Sequence, residues 1–307
     1  MPVLGPHAKW RHRPKLDDDY GLAGLACVAR SVKPKEVKTN AQAQASLQKE
    51  WAALRKLGAW SESKVREWSS VRDEAKLKNK RAHVGMVFGI CVEKGSELPA
   101  GHPGRKYKGR VVFRGSDVRD ESHFLATFQD LGSAPASMSS GKFLDFLCLL
   151  PEWTLSQADA VRAYTQATLT GVETWVRLPR DQWPEAWSGM KDPVCPLVLA
   201  LYGHPDAGTC WERQCDEKLK AAGFEPMINW AGCYRHKTLK AILSVYVDDV
   251  KLACHKNDKK AAWKLLQRAV SLEDPTDLKQ YLGCTHISCT HIPHSGILNE
   301  QVQVPGG

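Results

Sequence analysis

Residues 241–254 leave the backbone few choices. Ala241 to Val247 is apolar and partly β-branched, climbs to Asp248-Asp249, and returns through Val250 to Cys254 as a second apolar run. That pattern reads as strand, tight turn and strand, with both acids at the tip. Adjacent carboxylates repel each other and resist burial, so they stay in water or are neutralised by a divalent cation. An isolated Asp-Asp is most simply a solvated turn, and the rest of the chain has to decide.

Upstream, the hydrophobic period alternates between helix and strand. Asn40 to Leu57 carries Leu47, Trp51, Leu54 and Leu57 at helical spacing, with Gly58 to stop it. Ser61 to Lys78 is a second, more charged helical stretch, followed by the basic cluster Lys76–Arg81. His83 to Val92 and Tyr107 to Arg114 are strands around a Gly/Pro-rich loop, a long hairpin over 83–114. On its returning arm Lys108, Arg110 and Arg114 lie two or four residues apart, so an unbroken strand puts them on one face, suited to a polyphosphate or simply to solvent. Helices follow at 136–150, 205–222 and 257–270, with strands at 153–159, 174–178, 194–201 and 233–236, and the segment 278–283 and a last strand close the fold. The order predicts an α+β fold, a mainly antiparallel sheet with helices on one face.

Several classes fall away. No apolar run approaches the ~20 residues of a membrane span, and the N-terminus has no secretory-signal pattern. Ten cysteines without CxxC spacing read as reduced thiols, so an intracellular protein with no membrane partner is expected. A net charge of +9 favours an anionic partner such as nucleic acid.

Asp159 ends the strand Trp153–Asp159. If that strand lies beside the acidic hairpin, three carboxylates converge at one edge of the sheet. Such an arrangement is costly unless it holds metal, and Mg²⁺ bound by carboxylates plus substrate phosphates fits it. Two such ions can activate a 3′-hydroxyl and stabilise leaving pyrophosphate.

Six blocks in order carry a family resemblance: 35–60, KYKGRVVFRG at 106–115, QADAVRAY at 157–164, LALYG at 199–203 followed by Trp211, YVDD at 246–249, and YLG at 281–283. Together they resemble the reverse transcriptase domain of copia-type retrotransposons over about residues 34 to 290. The resemblance implies right-hand polymerase fingers and palm with a short or absent thumb. It divides the chain into a flexible basic arm (1–33), a fingers-like region (34–135), a palm (136–292) and a tail (293–307). It implies RNA-directed DNA synthesis with two Mg²⁺ (or Mn²⁺) ions, an RNA template, a DNA primer and deoxynucleoside triphosphates. Asp159, Asp248 and Asp249 then take the place of the catalytic, metal-binding acids. Tyr164 stands where an aromatic lies under the sugar of the incoming nucleotide and excludes a 2′-hydroxyl. Lys108, Arg110 and Arg114 fall in the triphosphate-binding block, and Tyr246 and Lys251, flanking the acids, are assigned to nucleic-acid contact.

The chain departs from the family at LYGHPDAGTCW, 201–211, where Asp206 occupies the place of a nucleotide-contacting glutamine. A carboxylate beside a triphosphate is repulsive. A second reading is therefore an inactive element remnant that only binds nucleic acid, and a third is an α+β interaction domain with surface acids. The chain ends soon after YLG, so no RNase H, integrase or protease segment is expected. Cys284, His286, Cys289, His291 and His294 have zinc-ligand residue types, but strand alternation points them to opposite faces, and a plain strand is the better expectation.

Overall fold

The computed structural model describes residues 29–128, 136–278, 280–282 and 284–286. In chain order these form β1 (Arg30–Ser31), α1 (Pro34–Thr39), α2 (Ala41–Leu57), β2 (Arg66–Glu67), α3 (Trp68–Leu77), β3 (Ala82–Lys94) and β4 (Lys106–Phe113). Then come α4 (Met138–Leu147), β5 (Trp153–Asp159), β6 (Glu173–Arg177), β7 (Pro193–Pro196), α5 (Ala207–Ala221), β8 (Phe224–Pro226) and β9 (Cys233–His236). The chain closes with β10 (Ala241–Tyr246), β11 (Asp249–His255), α6 (Lys259–Ala269), β12 (Thr276–Asp277), β13 (Gln280–Tyr281) and β14 (Cys284–Thr285). The predicted arm over 1–33 and tail over 293–307 lie almost wholly outside the described residues.

Two compact units divide the chain: Met1–Lys49 with Ile90–Arg110, and Glu50–Gly89 with Val111–Gly307. This division does not follow the expected boundary at 135/136, because 50–89 and 111–128 cluster with the acid-bearing half. In the first unit Asn40 caps α2, its Oδ1 accepting the Ala43 N–H at 3.0 Å. Val32, Ala43 and Cys91 form a small core with Leu47 and Tyr107. The helix meets β4 at Gly109, whose N–H donates to Ser46 Oγ at 2.6 Å. A Cβ on Gly109 would come within 2.7 Å of the Ser46 carbonyl oxygen and 2.8 Å of Leu47 Cα, so the contact requires glycine. Arg30 and Arg105 both bond the carboxylate of Glu93, which is only 3% exposed. Their donors hold its pKa below the usual carboxylate range, Arg30 first.

The second unit holds one whole sheet and part of another. The whole one runs β12-β5-β11-β10-β9-β8, every pairing antiparallel. Along β11 the pleat sends Val250, Leu252 and Cys254 into a core shared with Trp211 and Leu219 of α5 and Trp263 and Leu266 of α6. Ala253 faces Leu144 and Leu147 of α4 on the opposite side. Helices therefore cover both faces, not one as predicted, because β11 is buried on each side and each needs a partner.

The other sheet is mixed. The start of β3 pairs in parallel with β6, from Ala82↔Glu173 to Met86↔Arg177, and β6 pairs antiparallel with β7, and β7 with β2. β4 lies on β3 as the predicted hairpin. The helix expected over 61–78 is shortened to α3. Glu67 is held extended in β2, where its carboxylate accepts the N–H groups of Lys191 and Asp192, each at 2.8 Å. The strand expected over 194–201 stops at Pro196, and its continuation makes isolated bridges at Leu197 and Leu199.

Candidate active site

β5 and β11 pair without interruption from Trp153↔His255 to Asp159↔Asp249, so these two acids end the ladder directly opposite each other and share a face. β10 and β11 are joined by a two-residue turn, Val247-Asp248. Val247 has φ +56°, a left-handed backbone that β-branched residues rarely adopt. Two bonds hold the turn: Ala160 N–H donates to the Asp248 carbonyl at 2.7 Å, and the Trp211 indole N–H to the Val247 carbonyl at 2.8 Å. Asp159 and Asp248 are exposed, while Asp249 is half-buried. Burial, then the charges of Asp248 and Asp159, push the Asp249 carboxyl up to about 6. The three predicted acids are thus brought together at one sheet end, close enough to feel one another's charge.

Among the described residues no three His, Cys, Asp or Glu side chains form a ready-made metal cage. The donor set still suits Mg²⁺, which takes one or two carboxylates and completes its shell with water and phosphate oxygens. Exposed Asp159 and Asp248 can supply those carboxylates.

Tyr164 lies in a short 3₁₀ turn, Ala163–Gln166, that follows Arg162 in left-handed backbone (φ +53°). Its ring packs at 5.8 Å and 47° against Tyr202. Burial, then Tyr202 and Asp248, raise its phenol pKa, so Tyr164 lies near Asp248. Tyr202 was not among the predicted site residues. Its signal in the sequence was its place in the LALYG block, and in the structure it is 51% accessible beside buried Leu201.

The remaining predicted residues divide. Lys108 and Arg110 are exposed on β4, alternating with buried Gly109 and Val111, in the first unit. Arg114 falls just past β4 in the second unit, its guanidinium 5.1 Å over the Phe88 ring. Val112, on the same strand parity, is buried, so the exposed row stops at Arg110. Tyr246 is half-buried at the end of β10, opposite Asp249. Asp206 opens α5 without capping it, and burial raises its carboxyl pKa. Its own N–H donates to His204 Nδ1 at 3.1 Å.

Lys251 is a correction. Its side chain points to the α4 face of β11 and is fully buried, donating to Asp145 Oδ1 at 2.6 Å and Gly141 O at 3.0 Å, 4.8 Å from the Tyr281 ring centre. It cannot reach nucleic acid from there. Of the cysteine–histidine stretch, His286 Nε2 lies 3.0 Å from Asp145 Oδ1, and Cys289, His291 and His294 lie outside the described residues.

The family model for reverse transcriptase (RNA-dependent DNA polymerase) matches residues 100–295, which contain all three acids, Tyr164 and the Trp211-held turn. The chain belongs to this family. Among solved structures the chain is similar to a telomerase from Candida albicans in complex with a fragment of telomeric RNA, at 8% identity and a TM-score of 0.37. The likeness covers 76% of this chain and 46% of that one, so the chain spans less than half the length of this relative. No helix among the described residues is long and apolar enough to cross a membrane.

Proposed function

We propose that this reverse transcriptase domain is of the copia type and synthesises DNA on an RNA template, with the antiparallel acid-bearing sheet as its palm. The observation that carries the reading is the register Asp159↔Asp249 beside the left-handed turn at Val247-Asp248. In the reaction a primer 3′-oxygen attacks the α-phosphorus of a deoxynucleoside triphosphate, a new P–O bond forms, and the bond to pyrophosphate breaks. Bound Mg²⁺ supplies charge neutralisation at the attacking and leaving oxygens. Asp159 and Asp248 are the residues to hold it, being exposed carboxylates one register step apart. Asp249, half-buried and carrying the raised pKa, contributes charge more than ligation. Tyr164, braced by Tyr202, forms the surface on which a sugar without a 2′-hydroxyl rests.

Asp206 favours the second reading, an inactive remnant that retains nucleic-acid binding. Its carboxylate stands at the start of α5 without a capping bond, where the family's glutamine would be neutral.

Primer extension on an RNA template with Mg²⁺ separates the two. The wild-type chain is expected to incorporate deoxynucleotides, and Asp248→Asn to lose at least ~100-fold in rate. Equal incorporation by both proteins defeats the catalytic assignment. No incorporation by the wild type, with template binding intact, establishes the remnant.

A further inference from the structure

The turn that presents the acids is made of the wrong residue for its shape. A two-residue hairpin turn with positive φ ordinarily uses Gly, Asn or Asp. Here the position is Val247, and a β-branched side chain stays left-handed only when its surroundings enforce it. On the α5 side Val247 is not packed solidly but borders an open pocket of about 320 Å³, lined also by Trp211, Asp216, Tyr234 and Val245. The constraint is a directed bond instead. Trp211, 1% exposed, donates its indole N–H to the Val247 carbonyl at 2.8 Å. The contrast with Trp68 and Trp175 is informative, since their buried indole N–H groups have no partner.

The same helix face holds the other half of the site. Gln214, three residues on from Trp211 and so its neighbour on α5, donates to the Gln166 carbonyl at 2.6 Å and accepts the Thr168 N–H at 3.3 Å. Gln166 ends the turn that carries Tyr164. α5 itself is anchored in the core through Cys210, Cys215 and Leu219. One rigid helix therefore bonds both chain segments that deliver acids to the sheet end.

We propose that Trp211 is a positioning residue for the polymerase reaction: its indole N–H keeps the Val247-Asp248 turn left-handed, and this fixes the Asp248 and Asp249 carboxylates against Asp159. The catalytic consequence rests on the polymerase reading above; the structural one does not.

The test pairs Trp211→Phe, which keeps most of the ring volume and removes the donor, with Val247→Gly, which removes the steric objection to positive φ. Hydrogen–deuterium exchange of the full chain reads the turn, and primer extension reads the chemistry. Trp211→Phe is expected to speed exchange at 245–250 by about fivefold to tenfold while leaving 153–157 unchanged, the size expected from one neutral hydrogen bond. It is expected to lower kcat by a similar factor with KM for the deoxynucleotide unaltered. In the Val247→Gly background the same substitution is expected to cost less than about twofold in each readout. Unchanged exchange at the turn, or an equal loss in both backgrounds, overturns the proposal. If the wild type extends no primer, the polymerase reading falls, and the exchange comparison alone decides the role of Trp211.

Discussion

His204 is 4% exposed and wired so that it must stay neutral. Its Nδ1 accepts the Asp206 N–H at 3.1 Å, so the proton sits on Nε2 and points to Thr174 Oγ1 at 3.3 Å. Phe113 and Phe128 pack on its ring, at 4.8 and 5.6 Å, and the neighbouring ionisable group is another buried histidine, His83. Burial, then His83, lower its pKa from 6.5 to about 4. An unfolded chain takes up this proton as pH falls through 6.5, whereas the folded one resists until about 4. The contribution to stability is therefore complete above 6.5 and is lost as pH falls from 6.5 to 4. A shift of that size corresponds to about 3 kcal/mol. His83, whose pKa burial also lowers, acts with the same sign. The assay is urea unfolding of the wild type and His204→Asn between pH 4 and 7.5; the Asn carbonyl retains an acceptor for the Asp206 N–H and does not titrate. The wild type is expected to lose about 3 kcal/mol more than the variant across the window. Parallel pH profiles refute the reasoning, since the remaining slope then belongs to carboxylates common to both.

The buried pair on α4 and β11 is expected to respond asymmetrically. Asp145→Ala strands the Lys251 ammonium and costs about 2–3 kcal/mol, discounted because Asp145 is a third exposed, while Lys251→Met stays within about 1.5 kcal/mol; denaturation showing Lys251→Met as the worse change reverses the assignment. Gly109→Ala forces a methyl onto the α2 backbone and is expected to destabilise by about 1–3 kcal/mol, measured as a lowered urea midpoint; a neutral result means α2 can shift at no cost. Tyr164→Val opens the space beside Tyr202 and is expected to raise ribonucleotide incorporation relative to deoxynucleotide roughly tenfold in a competition primer extension; an unchanged ratio removes Tyr164 from sugar selection.

The acid-bearing half of the fold was legible because its signals are local. β5, β10 and β11 each show strand composition, and each runs into an acid, so their alignment at one sheet end follows from simple pairing. The errors arose where a residue's fate depends on a distant partner. A lysine in an apolar strand reads as a surface cation, and nothing near Lys251 in the chain announces Asp145, 106 residues earlier. Arg66-Glu67 fits a helix until the Lys191 and Asp192 N–H groups claim the glutamate. The tie from Trp211 to Val247 was invisible for the same reason, although Trp211 itself was noticed. The sequence shows no reason for Gly109, which the approach of α2 explains.

The parallel pairing of β3 with β6 has a consequence for synthesis on the ribosome. The partner of Ala82 is Glu173, roughly 90 residues later, so at ~5–20 residues/s the start of β3 waits on the order of 5–20 s for its ladder. The first unit closes earlier, once Arg110 has emerged and Gly109 can seat on α2. During that interval the edge of β3 that takes β6 has no strand partner. The length of that interval is set by where β6 lies in the sequence.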